Sequence, residues 1–494
     1  MKFERSSGIL LHITSLPGRY GIGDFGAGAH DFIDLLSQAG CRYWQFLPLT
    51  YPGTGNSPYS GISAFAWNPR LISPDLLWQD GYIKKNDVLD VNFSSEKVEY
   101  KKVNLWKDRL IEMALERKDN LRDEFEEYCT TNDYWIDDYA LYLAIKERFS
   151  GNKWTKWPSL IKNRDKDTLI ITRESLKEEI INHKFVQYLI SRQWHRLRMY
   201  AVSRGIKLIG DLPLYISHDS SDVWANPWLF KLNRYGNPSF VSGVPPDYFT
   251  EDGQLWGNPV YDWTANQKNN YSWWLERFEK NLEQFDLLRI DHFRGYSKYW
   301  EIPAGEISAR KGEWVTGPGI SIFNALKVKK GGSTTLPFIA EDLGLIDQEV
   351  LELRRQIDIP GMKNIQFSFL DGKWEDLPEQ YPENSIVYIG THDNDTIRGW
   401  IKNISVEERK NILRFLKKKG EIEVKDLIEA AWKTRSCIAI VPMQDILTLD
   451  STARMNIPSV QDNNWEWRMD VDEAVLEEKK ITLLELNSKF GRRL

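Results

Sequence analysis

Cysteine is scarce in this sequence of 494 residues: there are three, Cys41, Cys129 and Cys437, far apart and odd in number. That excludes a disulfide framework, and the spacing fits no zinc site. A reducing cytoplasm is the expected home. No apolar run approaches the span of a membrane helix, so no membrane partner is expected. Residues 1–7 lack the apolar stretch of a signal peptide. A net charge of -6 is modest for this length and argues against a nucleic-acid surface. There is no internal repeat and no low-complexity tract. The G-x-S-x-G elbow of a serine hydrolase is missing. No two histidines have the H-x-x-x-H spacing of a metal-binding helix.

Aromatic residues, by contrast, are plentiful: 21 Trp, 21 Tyr and 21 Phe. Tryptophan can fill a core, or in a cleft it can pack its flat face on the C–H face of a sugar. With 41% hydrophobic and 28% charged residues, the chain is globular. Its length suits several domains or one large barrel with insertions.

Apolar runs that stop at polar residues recur along the chain. The first covers 8–12 and ends at His12; the second covers 43–48 and ends at Pro48. Between them Phe32, Leu35, Leu36 and Ala39 recur at helical spacing, with Gly40 as a stop. Strand, helix, strand in that order points to a parallel sheet. A third run, 206–211, ends in Asp211. Further runs lie at 287–291, 338–342, 364–367, 386–393 and 437–442. Eight strands separated by helical patterns fit an α/β fold, a (β/α)₈ barrel, with 1–494 as one catalytic unit. Two long segments interrupt the rhythm. Residues 49–205 read as a mostly helical insertion between strands two and three. Residues 212–286 read as a second insertion, between strands three and four, carrying a mobile loop over 249–263. The clearest helices are 134–149, with Asn132 as cap, and 184–204. In the latter Val186, Ile190, Trp194, Leu197 and Ala201 share a face, and Gly205 ends it.

Three carboxylates close such runs: Asp291, Glu341 and Asp393. In a parallel barrel the C-terminal strand ends form the active-site face. A retaining glycosidase needs a carboxylate nucleophile and a carboxylic acid, roughly 5–5.5 Å apart. Asp291, two residues after Arg289, reads as a nucleophile kept ionised by a cation. Crowded like charges raise one pKa, and Glu341 is the natural acid. Arg289 and His392 would meet the nucleophile and the sugar hydroxyls. The bland alternatives are a surface ion pair at 289–291, a structural His392 and an Asp211 that orients the barrel.

Several stretches then identify a family. They are Gly210-Asp211-Leu212-Pro213-Leu214-Tyr215, Arg289-Ile290-Asp291-His292-Phe293-Arg294-Gly295, Ala340-Glu341-Asp342-Leu343-Gly344 and Thr391-His392-Asp393-Asn394-Asp395. The stretches Ser57-Pro58-Tyr59-Ser60 and Ser63-Ala64-Phe65, the loop Phe249 to Pro259 with its Trp256-Gly257-Asn258-Pro259, and the tail Asn464-Trp465-Glu466-Trp467-Arg468 complete the set. Together they resemble the 4-α-glucanotransferases of the amylomaltase type, in the α-amylase clan, over nearly the whole chain and in the family's order. The stretch Tyr215-Ile216-Ser217 departs from the family pattern, conservatively.

The resemblance implies Asp291 as nucleophile, Glu341 as acid/base and Asp393 as transition-state stabiliser. It implies sugar contacts from Tyr59, Asp211, Arg289 and His392, and Trp256 packed on the acceptor glucan. It implies no cofactor and no catalytic metal. The expected partners are malto-oligosaccharides or starch- and glycogen-type glucans, acted on by a monomer or homodimer. The chain begins at its first strand, so the extra N-terminal domains of longer relatives are expected to be absent. Two other readings compete: an α-glucan hydrolase with the same carboxylates, and a non-catalytic glucan-binding protein on a degenerate barrel.

Overall fold

The computed structural model describes residues 3–53, 55–89, 91–118, 122–246, 251–332, 335–372, 377–460 and 462–494. Its strands in chain order are β1 (Ser6–Leu10), β2 (Tyr43–Gln45), β3 (Lys207–Leu212), β4 (Phe240–Val244), β5 (Gln254–Pro259) and β6 (Leu287–Ile290). They continue with β7 (Lys298–Pro303), β8 (Glu313–Thr316), β9 (Phe338–Ala340), β10 (Gly361–Asn364), β11 (Ser385–Tyr388) and β12 (Ile438–Pro442). Eight of them close a parallel barrel in the order β1-β12-β11-β10-β9-β6-β3-β2. The ring shuts where β1 pairs with both β12 and β2.

Side chains sort to the two faces of the barrel wall by the period of two along each strand. Leu10, Tyr43, Ile209, Leu287, Ile339, Met362, Ile386 and Ile438 pack on one another inside the barrel. Their neighbours Ile9, Trp44, Leu208, Leu288, Val387 and Ala439 join the large core under the helices. Strands buried on both faces are mostly apolar away from their C-terminal ends, which is why several read as continuous runs. Gly8 is required inside: a Cβ there would sit 2.6 Å from Tyr43 Cβ and 2.8 Å from Ile440 Cδ1.

Helices cover the outside. The longest, Lys177–Ser203, starts earlier than the apolar face alone indicates. Its residues Val186, Ile190, Trp194, Leu197 and Ala201 are all buried. Each of the large ones contributes on the order of 1.5–3 kcal/mol by leaving water. Gly205 follows with φ +73°, a left-handed stop that suits glycine. Many tryptophans serve the core: Trp44, Trp224, Trp274 and Trp432 are fully buried.

Four local expectations need correction. The sixth barrel strand is Gly361–Asn364, not 364–367, which turns into a 3₁₀ helix from Gln366. Asn132 stands at the N-cap of the helix Asp133–Arg148, but its side chain makes no capping hydrogen bond. Its amide nitrogen instead donates back to Tyr128 O at 2.8 Å, and its oxygen accepts from Lys280 Nζ at 2.7 Å. Strands β5, β4, β7 and β8 form a separate antiparallel sheet that joins the segment after β3 to the segment after β6. Finally, Trp256 lies within β5 of that sheet rather than in a loop. Residues 249 and 250 of the expected loop lie outside the described residues.

Candidate active site

The C-terminal ends of β3, β6, β9 and β11 bring the polar residues to one rim. Backbone pairing continues past the strands: Asp291 N donates to Leu212 O and Glu341 N to Ile290 O, each at 3.1 Å. These bonds fix Asp291 and Glu341 on adjacent strand ends.

Arg289 is the hub. Its Nη1 donates to both oxygens of Asp211 at 2.8 Å and to Asp291 Oδ1 at 3.0 Å. Arg289 and Asp211 are buried, whereas a quarter of the Asp291 side chain is exposed. Burial alone would lower the pKa of Arg289, but Asp211 and Asp291 hold it well above its ordinary value. Burial raises Asp211, with Arg289 opposing. The Tyr59 hydroxyl donates to Asp211 Oδ2 at 2.6 Å. Taking two charges out of water is costly, and breaking such a pair costs about 3–5 kcal/mol.

Glu341 lies beside this cluster. Its Oε2 accepts from His292 N at 2.9 Å and its Oε1 from Leu343 N at 3.1 Å. His292 has φ +46°, a left-handed conformation uncommon outside glycine, which turns its amide onto Glu341. Burial pushes Glu341 up to about 7; Arg289 opposes this and the charge of Asp291 adds to it. A carboxyl that keeps its proton near neutral pH thus stands next to one paired with a guanidinium.

Asp393 follows β11 on the opposite side. Its Oδ2 lies 3.3 Å from His392 Nε2, and its Oδ1 accepts from Asn456 Nδ2 at 2.6 Å. The His392 ring stacks on Tyr59, centroids 5.1 Å apart and planes within 19°. A continuous set of contacts therefore runs from Asp291 through Arg289, Asp211, Tyr59 and His392 to Asp393. Trp256, 38% exposed, meets the ring of His292 edge-on at 4.9 Å and that of Tyr215 at 6.2 Å. Among the described residues no group of three His, Cys, Asp or Glu side chains is placed to hold a metal ion.

Comparison with known proteins adds to this geometry. A family model described as 4-alpha-glucanotransferase matches residues 11–473. A 4-alpha-glucanotransferase of Aquifex aeolicus is 44% identical, over 99% of this chain and 100% of its own length. The chloroplastic/amyloplastic one of Solanum tuberosum is 43% identical, over 99% of this chain and 87% of its own. A solved amylomaltase of Streptococcus agalactiae, in complex with acarbose, superposes with a TM-score of 0.95 at 38% identity. It covers 99% of this chain and 100% of that one.

The chain belongs to the 4-alpha-glucanotransferase family. It is an enzyme of α-1,4-glucan transfer, and the hydrolase and pure binding readings are not favoured. Within that family, all eight site residues picked from sequence lie on the rim just described. Two residues that sequence reasoning missed are Asn456 and Arg454, which donates from Nη2 to Asp393 O at 2.5 Å. Neither ends an apolar run, so no strand signal marks them. Their nearness in sequence to Asn464-Trp465 is the only cue.

Proposed function

We propose that Asp291 is the nucleophile, Glu341 the acid/base and Asp393 the transition-state stabiliser of a retaining double displacement. The observation that carries this reading is the contrast between two neighbouring carboxyls. Asp291 is paired to Arg289, and Glu341 is buried and pushed up to about 7. A carboxylate paired to a guanidinium suits the nucleophile's part, and a buried carboxyl pushed up toward neutral pH suits the acid's.

In the first step an oxygen of Asp291 bonds to the anomeric carbon of the donor glucan. The bond from that carbon to the bridging oxygen breaks, and the Glu341 proton passes to that oxygen. A glycosyl ester on Asp291 and a shortened glucan result. In the second step Glu341, now ionised, takes the proton of an acceptor 4-hydroxyl. The acceptor oxygen bonds to the anomeric carbon and the ester bond breaks. Asp393 faces the sugar whose charge develops between these states, where a fixed anion is worth most. Tyr59, stacked on His392 and packed by Trp465, is assigned to contact with that sugar.

Transfer competes with hydrolysis at the second step. Trp256, backed by the buried ring of Tyr215, presents aromatic surface on the acceptor side, which favours an oriented sugar over water. Malto-oligosaccharides and starch- or glycogen-type glucans are the substrates this reading names, and the relative solved with acarbose supports a sugar-binding rim. The segments 49–205 and 212–286 are assigned to the walls of that cleft. A cytoplasmic location is the companion reading, resting on cysteine usage, and a monomer or homodimer is what the family resemblance implies. No helix among the described residues is long and apolar enough to cross a membrane.

Incubation with maltotriose followed by chromatography tests the activity. Redistributed chain lengths at constant reducing ends are expected; reducing ends that rise with bond cleavage would mean hydrolysis instead.

A further inference from the structure

We infer that Asn456 is the residue that positions Asp393 for catalysis, an inference that rests on the role given to Asp393 above. The Asp393 carboxylate accepts one side-chain hydrogen bond, at Oδ1, while its other oxygen lies near the His392 ring. Oδ2 lies 3.3 Å from His392 Nε2, and Oδ1 accepts from Asn456 Nδ2 at 2.6 Å. Nearly half of this side chain is exposed, so packing does not fix its rotamer. The hydrogen bond from Asn456 must do so. Asn456 is itself held in place. Its backbone N donates to His392 O at 3.1 Å, and Arg454 Nε donates to its carbonyl oxygen at 2.8 Å. Arg454 also reaches Asp393 O through Nη2. The segment 454–456 thus clasps the carbonyls of His392 and Asp393, through the Asn456 backbone N–H and the Arg454 guanidinium, and places one neutral N–H donor against the carboxylate.

A neutral donor is the informative choice. An arginine or lysine in this place would neutralise the anion whose charge the transition state needs. An amide orients the carboxylate and leaves that charge available. The charged and titratable groups that face Asp393 are His392, Arg454 through the backbone, and Tyr59 across the stacked ring pair. None of them duplicates the donor at Oδ1.

The test uses Asn456→Ala and Asn456→Asp in the full chain, with kcat and KM for maltotriose from pH 5 to 8. In Asn456→Ala, kcat is expected to fall about 10²-fold, the scale of a misplaced catalytic group, while KM stays within about threefold because Asp393 acts in the transition state. In Asn456→Asp two carboxyls share one site, which raises one of their pKa values strongly. At low pH the introduced carboxyl is protonated and donates to Asp393 as the amide does, and activity stands near wild type. As pH rises the shared proton is lost, the two anions repel, and the ratio of variant to wild-type kcat falls toward that of Asn456→Ala. A purely structural asparagine gives a ratio that does not change with pH. A flat ratio, or an Asn456→Ala kcat within threefold of wild type, would overturn the inference. So would an Asn456→Ala loss carried by KM. That last comparison decides the matter even if Asn456→Asp does not fold. Asp393→Asn is the control. If it too keeps wild-type activity, the role of Asp393 fails; if it is inactive while Asn456→Ala is normal, only the positioning role fails.

Discussion

Replacing Arg289 with methionine removes a buried guanidinium and leaves a side chain of similar length. One nitrogen of Arg289 serves three carboxylate oxygens on Asp211 and Asp291. Without it, Asp211 keeps only the Tyr59 hydroxyl as partner and remains fully out of water. The cost of stripping one partner from a buried pair is about 3–5 kcal/mol. Its dependence on pH has a definite sign. Burial already raises the pKa of Asp211, and Arg289 is the largest opposing influence. In the variant that pKa rises further, above the unfolded value. A carboxyl raised in this way contributes no penalty below its unfolded pKa, where it is neutral in both states. The penalty grows as pH climbs from the unfolded value to the folded one and is complete above it. Urea unfolding of Arg289→Met should therefore show the full loss at pH 8 and a much smaller one near pH 4.5. Activity on maltotriose should fall by at least about 10²-fold at neutral pH, because the nucleophile has lost the group that aims it. A stability loss that is equal at both pH values, or that stays below about 1 kcal/mol, would refute this account of the hub.

Three further outcomes follow from the same geometry. Glu341→Gln should lower transfer from maltotriose by about 10²–10⁴-fold, the range of general acid catalysis, with glucan binding by calorimetry retained; near wild-type turnover would remove Glu341 from that role. In the wild type, kcat/KM for transfer should decline as pH rises past about 7, because Glu341 must enter the reaction protonated and burial sets its pKa there; a profile level into the alkaline range would contradict that placement. Trp256→Ala should lower transfer and raise the ratio of free glucose to redistributed chains, since it removes an exposed aromatic surface from the acceptor side; an unchanged ratio would mean that Trp256 does not select sugar over water.

The parts of the fold legible in the sequence are those that one strand decides alone. Strands β11 and β12 are buried at every position, so each is written as a largely apolar run. The sixth barrel strand reads three residues late because Lys363 interrupts its apolar character, while Ile365 and Phe367 alternate with polar neighbours as a strand would. The antiparallel sheet escapes a sequence reading for a different reason. One of its pairs joins Phe240 to Pro303, and a pairing across that distance leaves no local periodicity. Trp256 reads as a loop residue for the same reason, because its strand exists only through β4.

The site divides along the same line. Asp211, Asp291 and Glu341 stand at or just past the ends of strands, and a run that stops at a carboxylate shows itself. The full contrast between Asp291 and Glu341 does not: it depends on a left-handed His292 and on which carboxyl the guanidinium of Arg289 reaches. Asn456 reaches Asp393 from 63 residues further along the chain, a contact that only the closed barrel creates.

The central claim is a covalent glycosyl ester on Asp291. The direct measurement is mass spectrometry of Glu341→Gln mixed with α-maltotriosyl fluoride. Fluoride leaves without an acid, so the first step proceeds, while the missing base slows the second and the ester accumulates. The account predicts a protein heavier by one maltotriosyl group, with the added mass on the proteolytic peptide that contains Asp291. An adduct mapped to Asp393 or elsewhere, or no adduct while fluoride is released in a burst, would contradict it.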